Sequence, residues 1–182
     1  VVISYFARGE LKETQLDNRL QTILMKYSDE TALSLYNCIG SHDTTRFLNE
    51  AGGDVSKLKM AFAFQILFPG APAIYYGDEL AMTGENDPGC RAGMTWETGD
   101  YSLSGYVQYL INLRKKHKAI LFGSYKTIFA NDQQKLFAFE RIYQEECVIA
   151  VFNSSNMRQT LKLASWGETV DISPRSVEII IK

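Results

Sequence analysis

Three short segments gather residue types able to do chemistry. Gly40-Ser41-His42-Asp43-Thr44 sets an imidazole beside a carboxylate. Such neighbours can hydrogen-bond hydroxyls or steady a developing charge. The same residues also suit an Asp that caps the next segment, with a satisfied His nearby. A Ser-His-Asp triad is disfavoured, because adjacent Ser41 and His42 do not by themselves bring the hydroxyl against the ring. Tyr75-Tyr76-Gly77-Asp78-Glu79 offers two aromatic faces with polar tips. Its two carboxylates can orient a neighbouring base, bind a cation or simply cap a helix. Between Gly84 and Trp96, a polar segment holds Asp87, Arg91 and Trp96 around Pro88 and Gly89. Acid, guanidinium and aromatic together suit a polyol, whose hydroxyls pair with charges and whose apolar face stacks on a ring. A solvated loop with an internal Asp–Arg pair is the alternative.

The elements that must position these residues follow from periodicity. Leu16, Leu20, Ile23, Leu24 and Tyr27 recur at helical spacing and predict one amphipathic helix. Residues 32–39 read as a buried strand ending at Gly40, which puts His42 and Asp43 at its C-terminal end. Asp54 is a candidate N-cap for a helix of about 14 residues, apolar on most sides and ended by Pro69. Residues 71–76 then form a short apolar strand ending at Gly77. After the polar segment, Ser104 is expected to cap a helix over 105–117, with Arg114-Lys115-Lys116-His117 at its cationic-friendly C-terminus. Helix and strand in alternation is the rhythm of parallel α/β units, where ligands bind at the C-terminal ends of strands. Beyond residue 118 the rhythm changes. Segments 122–129, 135–141, 146–152, 159–163, 168–172 and 176–181 are short β-branched or aromatic runs separated by turn residues. They predict an antiparallel sandwich or meander. Trp166 reads as core or edge packing there, although an exposed Trp could touch a glycan.

Composition narrows the options. With 182 residues, 46 % hydrophobic, 22 % charged and a net charge of −2, the chain is globular rather than disordered. A nucleic-acid role driven by bulk charge is disfavoured. No apolar run approaches the roughly 20 residues of a membrane span. The longest, residues 60–68, is broken by Gln65 and stopped by Pro69-Gly70. Cys38, Cys90 and Cys147 are an odd, widely spaced set. They read as reduced thiols rather than a disulfide or zinc framework, which favours a cytoplasmic protein. A complete eight-stranded α/β barrel needs about 200–250 residues, so this length excludes one. The chain starts mid-pattern without Met, as expected of a piece of something longer.

The three segments together resemble a known family. Residues 37–47, NCIGSHDTTRF, resemble the fourth conserved region of the alpha-amylase superfamily of glycoside hydrolases. Residues 69–79, PGAPAIYYGDE, resemble its barrel-closing strand motif. Residues 85–96, ENDPGCRAGMTW, resemble the following loop in the neopullulanase, cyclomaltodextrinase and maltogenic amylase subgroup. The resemblance covers roughly residues 1–120. It implies the last β/α units of a TIM-type barrel over 1–118, and a small antiparallel β-sandwich domain over 119–182.

It also implies retaining hydrolysis or transfer at α-glucosidic bonds of maltodextrins, cyclodextrins or pullulan-like glucans, through a carboxylate nucleophile and a carboxylic acid. Asp43 matches the third, transition-state-stabilising carboxylate, whose charge also helps keep the acid protonated. His42 matches its neighbouring ligand, and Asp87 and Arg91 match sugar-binding positions. Arg46 is implied to fix the loop, while Tyr76 and Glu79 are structural at the barrel mouth. No cofactor or metal is implied for this chain; calcium is left open for the full-length enzyme. The nucleophile and acid motifs are absent, and Glu10 is rejected as the acid because no strand precedes it. Ala92-Gly93 departs from the basic-then-proline pair usual before Met94. The isolated chain is therefore expected to be inactive, and its incomplete barrel to self-associate. Non-catalytic glucan binding, or a purely structural fragment, is the alternative.

Overall fold

The computed structural model describes residues 1–182. A π-helical turn, Ile3–Ala7, leads into α1 (Glu13–Leu24), α2 (Asp29–Ser34) and β1 (Tyr36–Cys38). Then come α3 (Phe47–Glu50), α4 (Val55–Leu67) and β2 (Ala71–Ala73). Two 3-10 turns, Asp78–Leu80 and Gly89–Arg91, precede α5 (Tyr101–Lys116) and α6 (Lys118–Phe122). The remainder is β3 (Ser124–Asn131), β4 (Leu136–Tyr143), β5 (Glu146–Asn153), β6 (Gln159–Leu163), β7 (Glu168–Ile172) and β8 (Ser176–Ile181).

Several boundaries differ from the sequence reading, each for a local reason. The strand expected over 32–39 begins as α2. Ser28 Oγ accepts from Thr31 N–H, and Asp29 and Glu30 sit in the first turn, so a well-capped helix claims Ala32–Ser34. Only Tyr36–Cys38 remain extended. The helix expected to start after Ser104 starts at Tyr101, because Asp100 Oδ1 accepts from both Ser102 N–H and Leu103 N–H. The second strand stops at Ala73, where pairing to β1 ends. Phe122, expected in a strand, closes α6. In α1, Leu16 and Leu20 are buried, whereas Tyr27 lies past the helix end and is exposed.

β1 and β2 pair in parallel, with Asn37 opposite Pro72. Each has one neighbour, so each keeps an unpaired edge. Gln65, the residue that interrupts the apolar run, clamps them. Its Nε2 donates to Asn37 O at 2.8 Å and Ala73 O at 2.7 Å. The six antiparallel strands form two sheets, β3-β4-β5-β8 and the hairpin β6-β7. Alternation gives each face of the larger sheet a role. Leu136, Ala138, Ile149 and Val151 pack against Leu161, Leu163 and Ile172 of the hairpin. Phe137, Phe139, Ala150 and Phe152 join the helices in one core that runs across residue 118. Phe64 of α4 is its hub, with ring centroids 5.6–5.9 Å from those of Phe6, Phe139 and Phe152.

α4 ends inside this core, where its last carbonyls find no water. Arg114 Nη1 donates to Ile66 O at 2.7 Å, and Arg141 Nη1 donates to Leu67 O at 2.7 Å. Arg141 also donates to Gly123 O, so one guanidinium joins α4 to the start of β3. Cations at a helix C-terminus oppose its negative dipole end. Arg141 is fully buried without a carboxylate partner. Burial, reinforced by the charge of Arg114, pushes its pKa down to about 9. A second tie is Glu146, whose carboxylate meets His117 Nδ1 at 2.6 Å and accepts from Ala119 N–H at 2.7 Å.

Replacing Arg141 with Ala strands the carbonyls of Leu67, Gly123 and Ser124 and leaves a cavity. The expected loss is about 3–5 kcal/mol by urea denaturation. A loss below about 1 kcal/mol would refute the assigned tie.

Candidate active site

The site is built at the end of β1. Ile39 is buried and anchors the chain in the core. Gly40 passes so close to Asp78 that a Cβ would sit 2.7 Å from its Oδ2, so a side chain is excluded there. The next four residues close a turn on themselves. Ser41 N–H donates to Thr44 Oγ1 and Asp43 N–H donates to Ser41 Oγ. The turn presents His42 and Asp43 outward, with side chains 64 % and 67 % exposed. The surface is therefore open to a ligand rather than enclosed.

The loop after β2 meets this turn through Arg91. Arg91 Nη2 lies 3.3 Å from Asp43 Oδ1, and Nε lies 3.3 Å from Asp87 Oδ1. The same Nε donates to His42 O at 3.0 Å, and Cys90 Sγ donates to that carbonyl at 3.2 Å. His42 Nε2 lies 3.2 Å from Asp43 Oδ2. One guanidinium thus gathers two carboxylates and fixes the backbone between them. Exposed ion pairs of this kind add little stability. They do hold polar groups at hydrogen-bonding distance from one another, ready to exchange protein partners for ligand hydroxyls.

Beneath the surface lies a buried support. Arg46 Nη1 donates to Asp78 Oδ1 and to Tyr76 O, both at 2.8 Å. Its guanidinium carbon sits 4.7 Å from the Tyr75 ring centroid and 4.9 Å from that of Tyr76, within cation–π range. The two phenols reach the loop: Tyr75 OH donates to Cys90 O and Tyr76 OH to Ala92 O. Arg46 N–H donates to Gly84 O, and Thr45 Oγ1 to Asn86 Oδ1. Burial pushes the Asp78 carboxyl up to about 6; Arg46 opposes the shift and the charge of Glu79 adds to it.

The structure therefore brings His42, Asp43, Asp87 and Arg91 together, with Arg46 and Tyr76 directly below. Glu79 does not reach them, and its Oε2 is buried without a hydrogen bond. Asp78, not Glu79, is the carboxylate that holds Arg46. Two adjacent acids give no sequence signal of which one points inward; the left-handed turn at Gly77, φ +85°, decides it. Asn86 and Thr45 escape sequence reasoning, as do the partners of the tyrosine hydroxyls, because each pair is joined across a loop. No group of three or more His, Cys, Asp or Glu side chains is placed to hold a metal ion. No helix is long and apolar enough to cross a membrane.

The folded state holds the Asp78 proton up to about pH 6, whereas the unfolded chain releases it near its ordinary value of 3.8. The folded state thus binds more protons between these values, and stability falls as pH rises through them. Asp78→Asn removes this contribution. The difference between variant and wild type should change by about 2–3 kcal/mol between pH 4 and pH 7 in thermal or urea melts. Parallel pH profiles for the two proteins would show the proton is not held there.

Comparison with known proteins gives these groups a context. The alpha-amylase catalytic-domain family matches residues 5–135, which takes in all of β3 and stops just before β4. Neopullulanase 2 of Thermoactinomyces vulgaris is 38 % identical over 173 residues, covering 92 % of this chain and 30 % of that protein. A cyclomaltodextrinase of Thermoanaerobacter pseudethanolicus is 36 % identical over 164 residues, covering 89 % of this chain and 28 % of that protein. The chain thus spans under a third of the length of these relatives. Among solved structures, the ligand-free cyclic alpha-maltosyl-(1→6)-maltose hydrolase of Arthrobacter globiformis superimposes with a TM-score of 0.93 at 25 % identity. It covers all of this chain and 42 % of that one. The chain belongs to the alpha-amylase superfamily, in its neopullulanase, cyclomaltodextrinase and maltogenic amylase subgroup.

Proposed function

We propose that this chain is the C-terminal part of a retaining glycoside hydrolase acting on α-glucosidic bonds of maltodextrins, cyclodextrins or pullulan-type glucans. The observation that carries the reading is the convergence of His42, Asp43, Asp87 and Arg91 at the end of β1, with ion-pair distances of 3.2–3.3 Å. Asp43 grips hydroxyls of the sugar at the cleavage point and favours its distorted, oxocarbenium-like form. His42 donates to the same ring or its neighbour. Arg91 and Asp87 bind adjacent hydroxyls, and Arg91 also keeps Asp43 from collapsing away from the substrate. Arg46 and Tyr76 hold the two loops in register, and Glu79 packs at the barrel mouth. The nucleophile and the acid of the two-carboxylate mechanism belong to segments outside this chain.

Residues 1–118 are assigned to the closing part of an eight-stranded barrel and 119–182 to an antiparallel C-terminal domain. The parallel pairing of β1 with β2 supports the first assignment, and the meander β3-β4-β5 the second. A cytoplasmic setting fits three free thiols and a Bacillus subtilis relative named intracellular maltogenic amylase. The unpaired edges of β1 and β2 favour self-association.

Purified 182-residue chain should not turn over nitrophenyl maltoside, since a missing nucleophile or acid costs orders of magnitude. Turnover that disappears in Asp43→Asn would overturn this. In a polypeptide that includes the upstream segments, Asp43→Asn should lower kcat on a cyclodextrin by about 10³-fold with a smaller change in KM, as expected for a contact made in the transition state. A near-normal kcat would remove Asp43 from the mechanism. Sedimentation of the 182-residue chain at tens of micromolar should show species larger than the monomer; a single monomer peak would count against the open edges as contacts.

A further inference from the structure

Tyr75 and Cys90 are not among the polar side chains that face a ligand, yet both grip the backbone that carries them. A carbonyl shares its peptide plane with the next residue, so a bond to it bears on how both residues are aimed. Tyr75 OH donates to Cys90 O at 3.2 Å, which holds the peptide that leads into Arg91. Cys90 Sγ donates to His42 O at 3.2 Å, and Arg91 Nε donates to the same oxygen at 3.0 Å. Both lone pairs of His42 O are thus engaged, and the peptide between His42 and Asp43 is held from the side of the loop. Cys90 is fully buried, so its bond is shielded from water.

The rest of the loop is folded to deliver Cys90. Gly84 N–H donates to Asn49 Oδ1, and Arg46 N–H donates to Gly84 O, so Gly84 is pinned on both sides of its Cα. A Cβ there would sit 2.5 Å from Gly89 O and 3.1 Å from Cys90 Cα, because the loop doubles back on itself at this point. Opposite, the Tyr75 ring packs on the Arg46 guanidinium, which restrains its hydroxyl beside Cys90.

We infer that Tyr75 and Cys90 form a latch that positions His42 and Asp43 for the reaction without touching the substrate. The inference rests on the role proposed above for Asp43. Tyr75 sets the peptide between Cys90 and Arg91, Cys90 sets the peptide between His42 and Asp43, and the two bonds act in series. The Asp43 side chain meets only Arg91 and His42, through surface ion pairs, and such pairs hold a side chain weakly. The latch fixes the backbone beneath it. A displacement of about 1 Å can cost about 10²-fold in rate. Loss of either member should therefore lower kcat more than it raises KM.

In a polypeptide that includes the upstream segments, Tyr75→Phe and Cys90→Ala should each lower kcat on a cyclodextrin by about tenfold, with KM changed by less than about threefold. Because the bonds act in series, the double variant should fall no further than the worse single one. Cys90→Ser restores a hydrogen-bond donor and should recover most of the lost kcat. A residue that only fills space gives the opposite order, since a buried hydroxyl is tolerated less well than a methyl group. A kcat in Cys90→Ala equal to or above that of Cys90→Ser therefore overturns the latch. So do losses in the single variants that multiply in the double one. Unchanged kcat in both single variants, with Asp43→Asn still impaired, overturns the latch alone. Unchanged kcat in all three overturns the reading of Asp43 on which it rests.

Discussion

The C-terminal end of α4 is the constraint around which the molecule is arranged. A helix apolar on most of its sides can be covered on all of them, but its last carbonyls still need donors. Here the donors are two guanidinium groups, Arg114 from α5 and Arg141 from β4. Meeting that need brings the helical region and the antiparallel sheet face to face. Phe64, Phe137, Phe139 and Phe152 then fill the space between them. The desolvation of Arg141 is the cost of this design, and its lowered pKa is the sign of it. Gln65, on the same helix, uses its amide to hold β1 beside β2. One helix therefore sets both the sheet below and the paired strands that end at the site.

The site repeats this logic on a smaller scale. Its working surface is exposed and held by weak pairs, while its geometry is fixed from beneath by Arg46. That guanidinium is trapped among Asp78, the carbonyl of Tyr76 and two aromatic rings, and the tyrosine hydroxyls carry the constraint outward into the loop. Polar groups free to meet a ligand on a base that is not free to move is the arrangement preorganisation requires. Gly40 belongs to this base as much as Arg46 does, because its missing side chain makes room for Asp78.

The exposed side chains of the site are legible in the sequence, and so is Arg46 as the residue expected to fix the loop; the groups that hold Arg46 in place are not. His42, Asp43, Asp87 and Arg91 stand in short motifs whose spacing is visible in one dimension. The strands β6, β7 and β8 fall where the runs of β-branched residues place them, because turn residues bracket each run. The start of α2 departs from the β-like pattern because Ser28-Asp29-Glu30 is a capping signal that outcompetes the run that follows it. Ser104 is a plausible cap, but the Asp100 side chain accepts from Ser102 N–H and Leu103 N–H and moves the helix start forward. The pairing of Asp78 with Arg46 and the role of Arg141 are not legible there. Their roles depend on partners 32 and 74 residues away in the chain, and no local pattern encodes a contact of that range.

The separation of 74 residues between Leu67 and Arg141 also bears on the order in which the protein comes into being. Synthesis delivers α4 well before the arginine of β4 that satisfies its last carbonyl. Until that strand leaves the ribosome, the end of α4 must stay frayed or solvated, and the aromatic face of the sheet is not there to cover Phe64. The loop that must close costs entropy before any of these contacts rewards it. Maturation of the helical region is thus timed by the arrival of the β region. A chain that stops short of residue 141 leaves the Leu67 carbonyl without its guanidinium partner.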